Sequence, residues 1–221
     1  MRPEPNHPEP NHPEPSKHAQ PVIYLVDDDD AVREALQVLI GTVGLEVRAF
    51  DSPQAFNASF DPQVIGCVVM DVRMPGTSGL ELQEHLKIRG VDLPIIIITG
   101  HGDVNLARRA FLGGAVELLT KPVDEQTLLE SLQRAIREHI RTRERQGVTR
   151  EARARLERLS PREREVLSRI VEGDSNKQIA RLLGLSARTV ETHRAHLFEK
   201  LQVQSLAELI RLYIRALEHP P

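Results

Sequence analysis

The chain has a single cysteine, Cys67, which lies in an apolar stretch and has no partner for an internal disulfide. A disulfide-stapled secreted scaffold is thereby excluded, and cytoplasmic residence is the expectation. No uninterrupted apolar run approaches the ~20 residues that a membrane-spanning helix needs. The opening MRPEPNHPEPNHPEP has no apolar core, so it is not expected to be a secretion signal. Nor is there a large charge of one sign, since the net charge is −3. That small total hides an asymmetry. From Arg150 onward there are 14 Lys+Arg against 10 Asp+Glu, while the rest carries 15 against 22. An acidic front and a mildly basic back suggest two jobs, and 221 residues suit two domains.

Met1 to Gln20 repeats NHPEP twice after a partial copy. Proline at every second or third position forbids helix, so a disordered, extended tail is expected. Pro21 to His139 then alternates strand and helix. Val22 to Val26 is an apolar strand ending at four acids, Asp27 to Asp30, and Ala31 to Val43 has helical spacing. Leu45 to Phe50, Val68 to Met70, Ile95 to Ile98 and Val116 to Leu119 read as further strands. Helices are expected at Pro53 to Phe60, at Leu80 to Ile88 with Leu82, Leu86 and Ile88 inward, at Asp103 to Leu112, and after Asp124. Five strands alternating with five helices imply an α/β, doubly wound parallel sheet, (βα)5 and flavodoxin-like in order 2-1-3-4-5.

In that order the first and third strands are neighbours, roughly 4.8 Å apart. Asp27, Asp28 and Asp71 then converge beyond the carboxyl ends of the strands, where such sheets bind ligands. Carboxylates this close repel one another, and Mg²⁺, a hard cation taking oxygen ligands, is the natural neutraliser. Taken alone, DDDD reads more readily as a solvated acidic turn with a helix cap. Thr99 at the end of the fourth strand and Lys121 after the fifth add a hydroxyl and a cation at the same edge.

VDD at 26–28, Asp71 with MPGTSG, Thr99 and Lys121-Pro122 resemble the receiver domain of bacterial two-component response regulators. The resemblance implies that Asp71 accepts a phosphoryl group from a histidine kinase, with Thr99 and Lys121 assisting. It further implies Mg²⁺ bound by Asp28, Asp71 and the backbone carbonyl of Arg73, with Asp27 acting through water. Thr99 and residue 118 would form the switch. Here residue 118 is Leu118, where the family usually has an aromatic, so the coupled switch in its usual form is in question. An aspartate-nucleophile phosphatase would need an acid two residues after Asp71, and Arg73 stands there instead.

Ile140 to Leu159 reads as a helical linker interrupted at Gly147, Val148 and Thr149, with Ala152, Leu156 and Leu159 as a thin apolar stripe. It fits either a signalling, dimerising segment or a solvated spacer. Ser160 to Glu218 reads as four helices. SPRE is a capping box, with Val166, Leu167, Ile170 and Val171 inward. A second helix, capped by Ser175 or Asn176, buries Ile179, Leu182 and Leu183, and Gly184 stops it. Ser186 caps a third helix whose inward residues are Val190, Leu197 and Leu201. The last helix, Leu206 to Leu217, presents Leu206, Leu209, Ile210, Tyr213 and Ile214. Two short helices joined by a tight glycine turn describe a helix-turn-helix.

Arg188, Thr189, Glu191, Thr192, Arg194 and Ala195 fall on the outer side of the third helix, as suits base reading in a major groove. Glu191 could accept from a cytosine amino group or orient Arg188 or Arg194. Lys177 is placed for a phosphate. LSPREREVL, GDSNKQIA and SARTVETH resemble the LuxR-type helix-turn-helix. Joined to the receiver-like half, the arrangement is similar to the FixJ subfamily of transcriptional regulators. The implied partners are a sensor histidine kinase, promoter DNA, a second copy of the chain upon phosphorylation, and RNA polymerase. A non-enzymatic regulator is expected. The alternative is a phosphorylation-independent DNA-binding regulator whose receiver is a docking module.

Overall fold

The computed structural model describes residues 20–218. The tail expected over Met1 to Gln20 therefore lies, except for Gln20, outside the described residues. The chain divides into two compact units, Met1–Ile140 and Arg141–Pro221.

In the first unit, β1 (Val22–Val26), β2 (Glu46–Phe50), β3 (Gly66–Asp71), β4 (Ile95–Thr99) and β5 (Glu117–Thr120) form one sheet. Its order is β2-β1-β3-β4-β5, and every pairing is parallel. Each strand leads into a helix: α1 (Asp30–Gly41), α2 (Pro53–Ser59), α3 (Gly79–Ile88), α4 (Val104–Gly113) and α5 (Glu125–Glu157). Successive strand residues point to opposite faces. Tyr24, Val26, Val68, Met70 and Ile97 pack with Phe56, Leu82, Leu86 and Ala110 beneath α2, α3 and α4. Ile23, Leu25, Cys67, Val69, Ile96 and Ile98 pack with Leu36, Ile40, Leu128 and Leu132 beneath α1 and α5. Burial on both faces is why these strands carry no polar alternation. β1 and β3 run so close that a Cβ on Gly66 would lie 2.0 Å from the Val22 carbonyl oxygen.

Ile88, expected inward, is 76% exposed, because it lies about 200° round the helix from the buried Leu86. The interruption expected at Gly147-Val148-Thr149 is absent, and α5 is helical without a break from Glu125 to Glu157. A lone glycine inside a helix costs only about 1 kcal/mol. Thr149 is buried, with its hydroxyl donating to the Glu218 carbonyl at 3.3 Å, and Ala152 is buried too. Arg153 donates to the Ala216 carbonyl at 2.8 Å. Tertiary contacts in the second unit thus override the weak local propensity.

The second unit continues with α6 (Pro161–Val171), α7 (Asn176–Leu183), α8 (Ala187–Leu201) and α9 (Leu206–Leu217). Serine caps begin all four: Ser160, Ser175, Ser186 and Ser205 each accept a backbone N–H three residues on. Val166, Leu167, Ile170, Ile179, Val190, Leu197, Leu201 and Leu209 form the core. Leu182, Leu206 and Ile214, expected inside, are about half exposed on the flanks of their short helices. Gly184 ends α7 in the left-handed region at φ +64°, which turns the chain into α8. Arg162 donates to the Leu183 carbonyl at 2.5 Å and so satisfies the end of α7.

Glu163 ties the start of α6 to the end of α8, accepting from Ser160 N at 2.7 Å and from Lys200 Nζ at 2.8 Å. Burial would raise its carboxyl, but the bonds from Lys200 and Ser160 outweigh that and hold its pKa at about 2, below the usual 4.5. The folded-state value is depressed, so the contribution is complete above pH 4.5 and is lost as pH falls toward 2. Glu163→Gln should therefore cost about 1–3 kcal/mol at neutral pH. In urea unfolding, the gap between wild type and variant should close as the pH is lowered from about 5 to about 2.5. A gap that stays constant over that range contradicts the assignment.

Candidate functional site

The four acids after β1 have four different positions. Asp27 is 1% exposed and fully engaged. Its Oδ2 accepts from Lys121 Nζ at 2.7 Å and its Oδ1 from Asp29 N at 3.0 Å. Its carbonyl accepts from Arg33 Nη1 at 2.6 Å. Asp29 caps α1 through Ala31 N and Val32 N, and Asp30 pairs with Arg33. Asp28 is exposed, and its carboxylate has no hydrogen bond or ion pair among the described residues.

Asp71 ends β3 next to Asp27. The register pairs Val26 with Met70 and Asp71 with Ile98, so the ends of β1, β3 and β4 lie side by side. Gly79 packs against the same place. A Cβ there would come 2.2 Å from the Asp71 carbonyl oxygen, and Gly79 N donates to Val72 O at 3.0 Å. Only glycine lets the loop after β3 fold back so closely.

Lys121, following β5, joins the two buried carboxylates. Its Nζ lies 2.7 Å from Asp27 Oδ2 and 3.0 Å from Asp71 Oδ2. Its backbone N donates to Thr99 O at 2.8 Å, which anchors the loop. Burial lowers the ammonium pKa, but hydrogen bonds and charge from Asp27 and Asp71 outweigh it, and the net shift is upward. Lys121 therefore stays charged throughout the neutral range.

Oxygens of Asp27, Asp28 and Asp71 all lie within 4.8 Å of one another. Lys121 supplies one positive charge to these three carboxylates. Asp71 Oδ1 is buried and, among the described residues, is the one buried side-chain polar atom without a hydrogen-bond partner. An orphaned buried acceptor costs about 1–3 kcal/mol unless something satisfies it. With the unpartnered Asp28 alongside, the donor set is hard oxygen with negative charge left over, which fits Mg²⁺.

Thr99 is fully buried, but its hydroxyl is turned into its own loop. It donates to the His101 carbonyl at 3.1 Å and accepts from His101 N at 3.3 Å, with no bond to Asp71. Leu118 is half-buried on the α4 side of β5, against the core that includes Ile97 and Ala110. Arg73 is exposed just beyond Asp71. The sequence reading overlooked Arg33, whose link to the Asp27 carbonyl becomes visible only once the turn between them is closed.

In the second unit, Arg188, Glu191, Thr192 and Ala195 are exposed on α8, while Thr189 and Arg194 are half-buried. The Thr189 hydroxyl is 2.7 Å from Ser186 Oγ and is occupied by the cap, whereas Thr192 donates to the Arg188 carbonyl at 3.1 Å. Among the described residues Glu191 forms no ion pair with Arg188 or Arg194. Lys177 is exposed in the first turn of α7. No helix among the described residues is long and apolar enough to cross a membrane.

Residues 23–133 match the family described as response regulator receiver domain, and residues 157–213 match bacterial regulatory proteins, luxR family. The transcriptional regulatory protein FixJ of Bradyrhizobium diazoefficiens is 44% identical over 194 residues, covering 88% of this chain and 95% of that protein. Nodulation protein W of the same organism is 42% identical, covering 86% and 84%. Among solved structures, the response regulator StyR superposes with a TM-score of 0.81 at 40% identity, covering 89% of this chain and 100% of that one. Full-length FixJ from B. japonicum gives a TM-score of 0.55 at 42% identity, covering 90% and 98%. The chain therefore belongs to the response regulators that join a receiver domain to a LuxR-type helix-turn-helix, and it is a two-component, DNA-binding regulator of transcription.

Proposed function

We propose that Asp71 is the phosphoacceptor and that its phosphorylation by a partner histidine kinase gates promoter binding. The observation that carries this reading is the buried, partnerless Asp71 Oδ1 beside a fixed lysine. In the transfer, a carboxylate oxygen of Asp71 attacks phosphorus and the P–N bond to the kinase histidine breaks. The imidazole keeps the bonding electrons and takes up a proton. Lys121, held by Asp27, is placed to follow the charge from Asp71 Oδ2 onto a phosphoryl oxygen. Asp28, Asp71 and the Arg73 carbonyl would hold Mg²⁺, with Asp27 behind water, and the ion would supply further positive charge to the transferred oxygens. Thr99 would turn its hydroxyl from the His101 carbonyl to the acyl phosphate, and Leu118 would repack under α4.

Downstream, two phosphorylated receivers pair, so that two helix-turn-helix units occupy adjacent half-sites on cytoplasmic promoter DNA, within reach of RNA polymerase. The second reading, phosphorylation-independent DNA binding, is favoured by one observation. Leu118 already packs against the core and has no ring or hydroxyl to exchange between two positions.

Asp71→Asn keeps the shape and removes the nucleophile. With radiolabelled acetyl phosphate and Mg²⁺, the wild type should retain label and the variant should take up none. Label on the variant places the acceptor elsewhere, and rapid continuous phosphate release by the wild type would make it a phosphatase. On the DNA side, Lys177→Ala should weaken binding to all sequences alike and flatten the salt slope by about one. Thr192→Ala or Glu191→Ala should instead change base preference by about 1–3 kcal/mol at one position per half-site. Selection from a random DNA pool checks this, and an unchanged consensus for both α8 variants shows that the reading helix is misplaced.

A further inference from the structure

Of the three carboxylates at the candidate cation site, one is much less held in place than the others. Asp27 is fixed through its N–H, its carbonyl and both carboxylate oxygens. Asp71 is fixed through β3 and Lys121. Asp28 is exposed, and no partner among the described residues holds its side chain. Its direction is therefore set by its backbone.

That backbone is held by Arg33. The Asp27 carbonyl and the Asp28 N–H belong to one planar peptide unit, so fixing one fixes the other. Arg33 Nη1 donates to the Asp27 carbonyl at 2.6 Å, and Nη2 pairs with Asp30 Oδ1. The Arg33 side chain is only 16% exposed. The planar guanidinium thus spans the turn from the end of β1 to the first residue of α1, with its charge balanced locally by Asp30.

We propose that Arg33 is a positioning residue for the divalent-cation site: it orients the Asp27–Asp28 peptide so that Asp28 faces Asp71. This rests on the reading above that Asp28 and Asp71 hold the cation. Charge and geometry make opposite predictions for its removal. Taking a positive charge away from three carboxylates should tighten a cation, whereas releasing the peptide should loosen it. Groups that hold metal ligands in place typically contribute about 10–100-fold in affinity.

The test is calorimetric titration of the full-length chain with MgCl₂ alone, together with melting in the absence of Mg²⁺. Arg33→Met should weaken Mg²⁺ binding by about tenfold, the low end of that range. Arg33→Lys, which can reach the carbonyl or Asp30 but not bridge them, should fall between. Equal or tighter binding by Arg33→Met overturns the proposal, as does a lowered melting temperature with an unchanged affinity. Should Arg33→Met fail to fold, Arg33→Lys decides: weakened binding supports the proposal and wild-type affinity overturns it. Asp28→Asn separates the two levels of the argument. A wild type without Mg²⁺ binding, or an Asp28→Asn chain that binds equally well, refutes the cation site itself and the role of Arg33 with it.

Discussion

The receiver's site depends on one ammonium group placed between two buried carboxylates. Strand order brings β1 and β3 together, and the ends of those strands bring Asp27 and Asp71 together. Without Lys121 that juxtaposition would leave like charges buried side by side, which disfavours ionisation of both and costs stability. With Lys121 the pair is stable but still short of positive charge, because Asp28 adds a third carboxylate. In the proposed mechanism the remaining imbalance would draw a divalent cation, whose charge would then receive the transferred phosphoryl oxygens. Structure and chemistry are thus linked by incomplete neutralisation.

The second unit uses a charged pair differently. Glu163 and Lys200 fix the start of α6 to the end of α8, and Arg162 closes the end of α7. The exposed side of α8 is left to polar residues that contribute nothing to the core. A fixed frame behind an exposed polar face suits the base-reading role proposed for α8.

Much of this was legible in the sequence for identifiable reasons. VIYLV, CVVM and IIII declared buried strands because covering both faces removes polar alternation. Ser160 and Ser186 marked the starts of their helices, since the serine hydroxyl satisfies an otherwise orphaned N–H, whereas the cap at Ser205 went unread. Asp71 and Thr99 stood out because each closes a strand, and Lys121 because it follows one directly. Legibility failed where tertiary contacts outweigh local preference, as at Gly147-Val148-Thr149, which α5 carries without a break. It failed as well for Ile88, where helical phase and hydrophobicity disagree. Arg33 was invisible because its role depends on a carbonyl, and a sequence does not say which way a carbonyl points.

The central claim is that the state of Asp71 controls DNA binding. Its most direct test is affinity for a selected operator, measured by fluorescence anisotropy with and without acetyl phosphate and Mg²⁺. The account predicts a gain of about fivefold or more in the wild type, within the roughly 5–150-fold range of such couplings, and none in Asp71→Asn. Equal affinity in a wild-type sample shown to carry phosphate would contradict it.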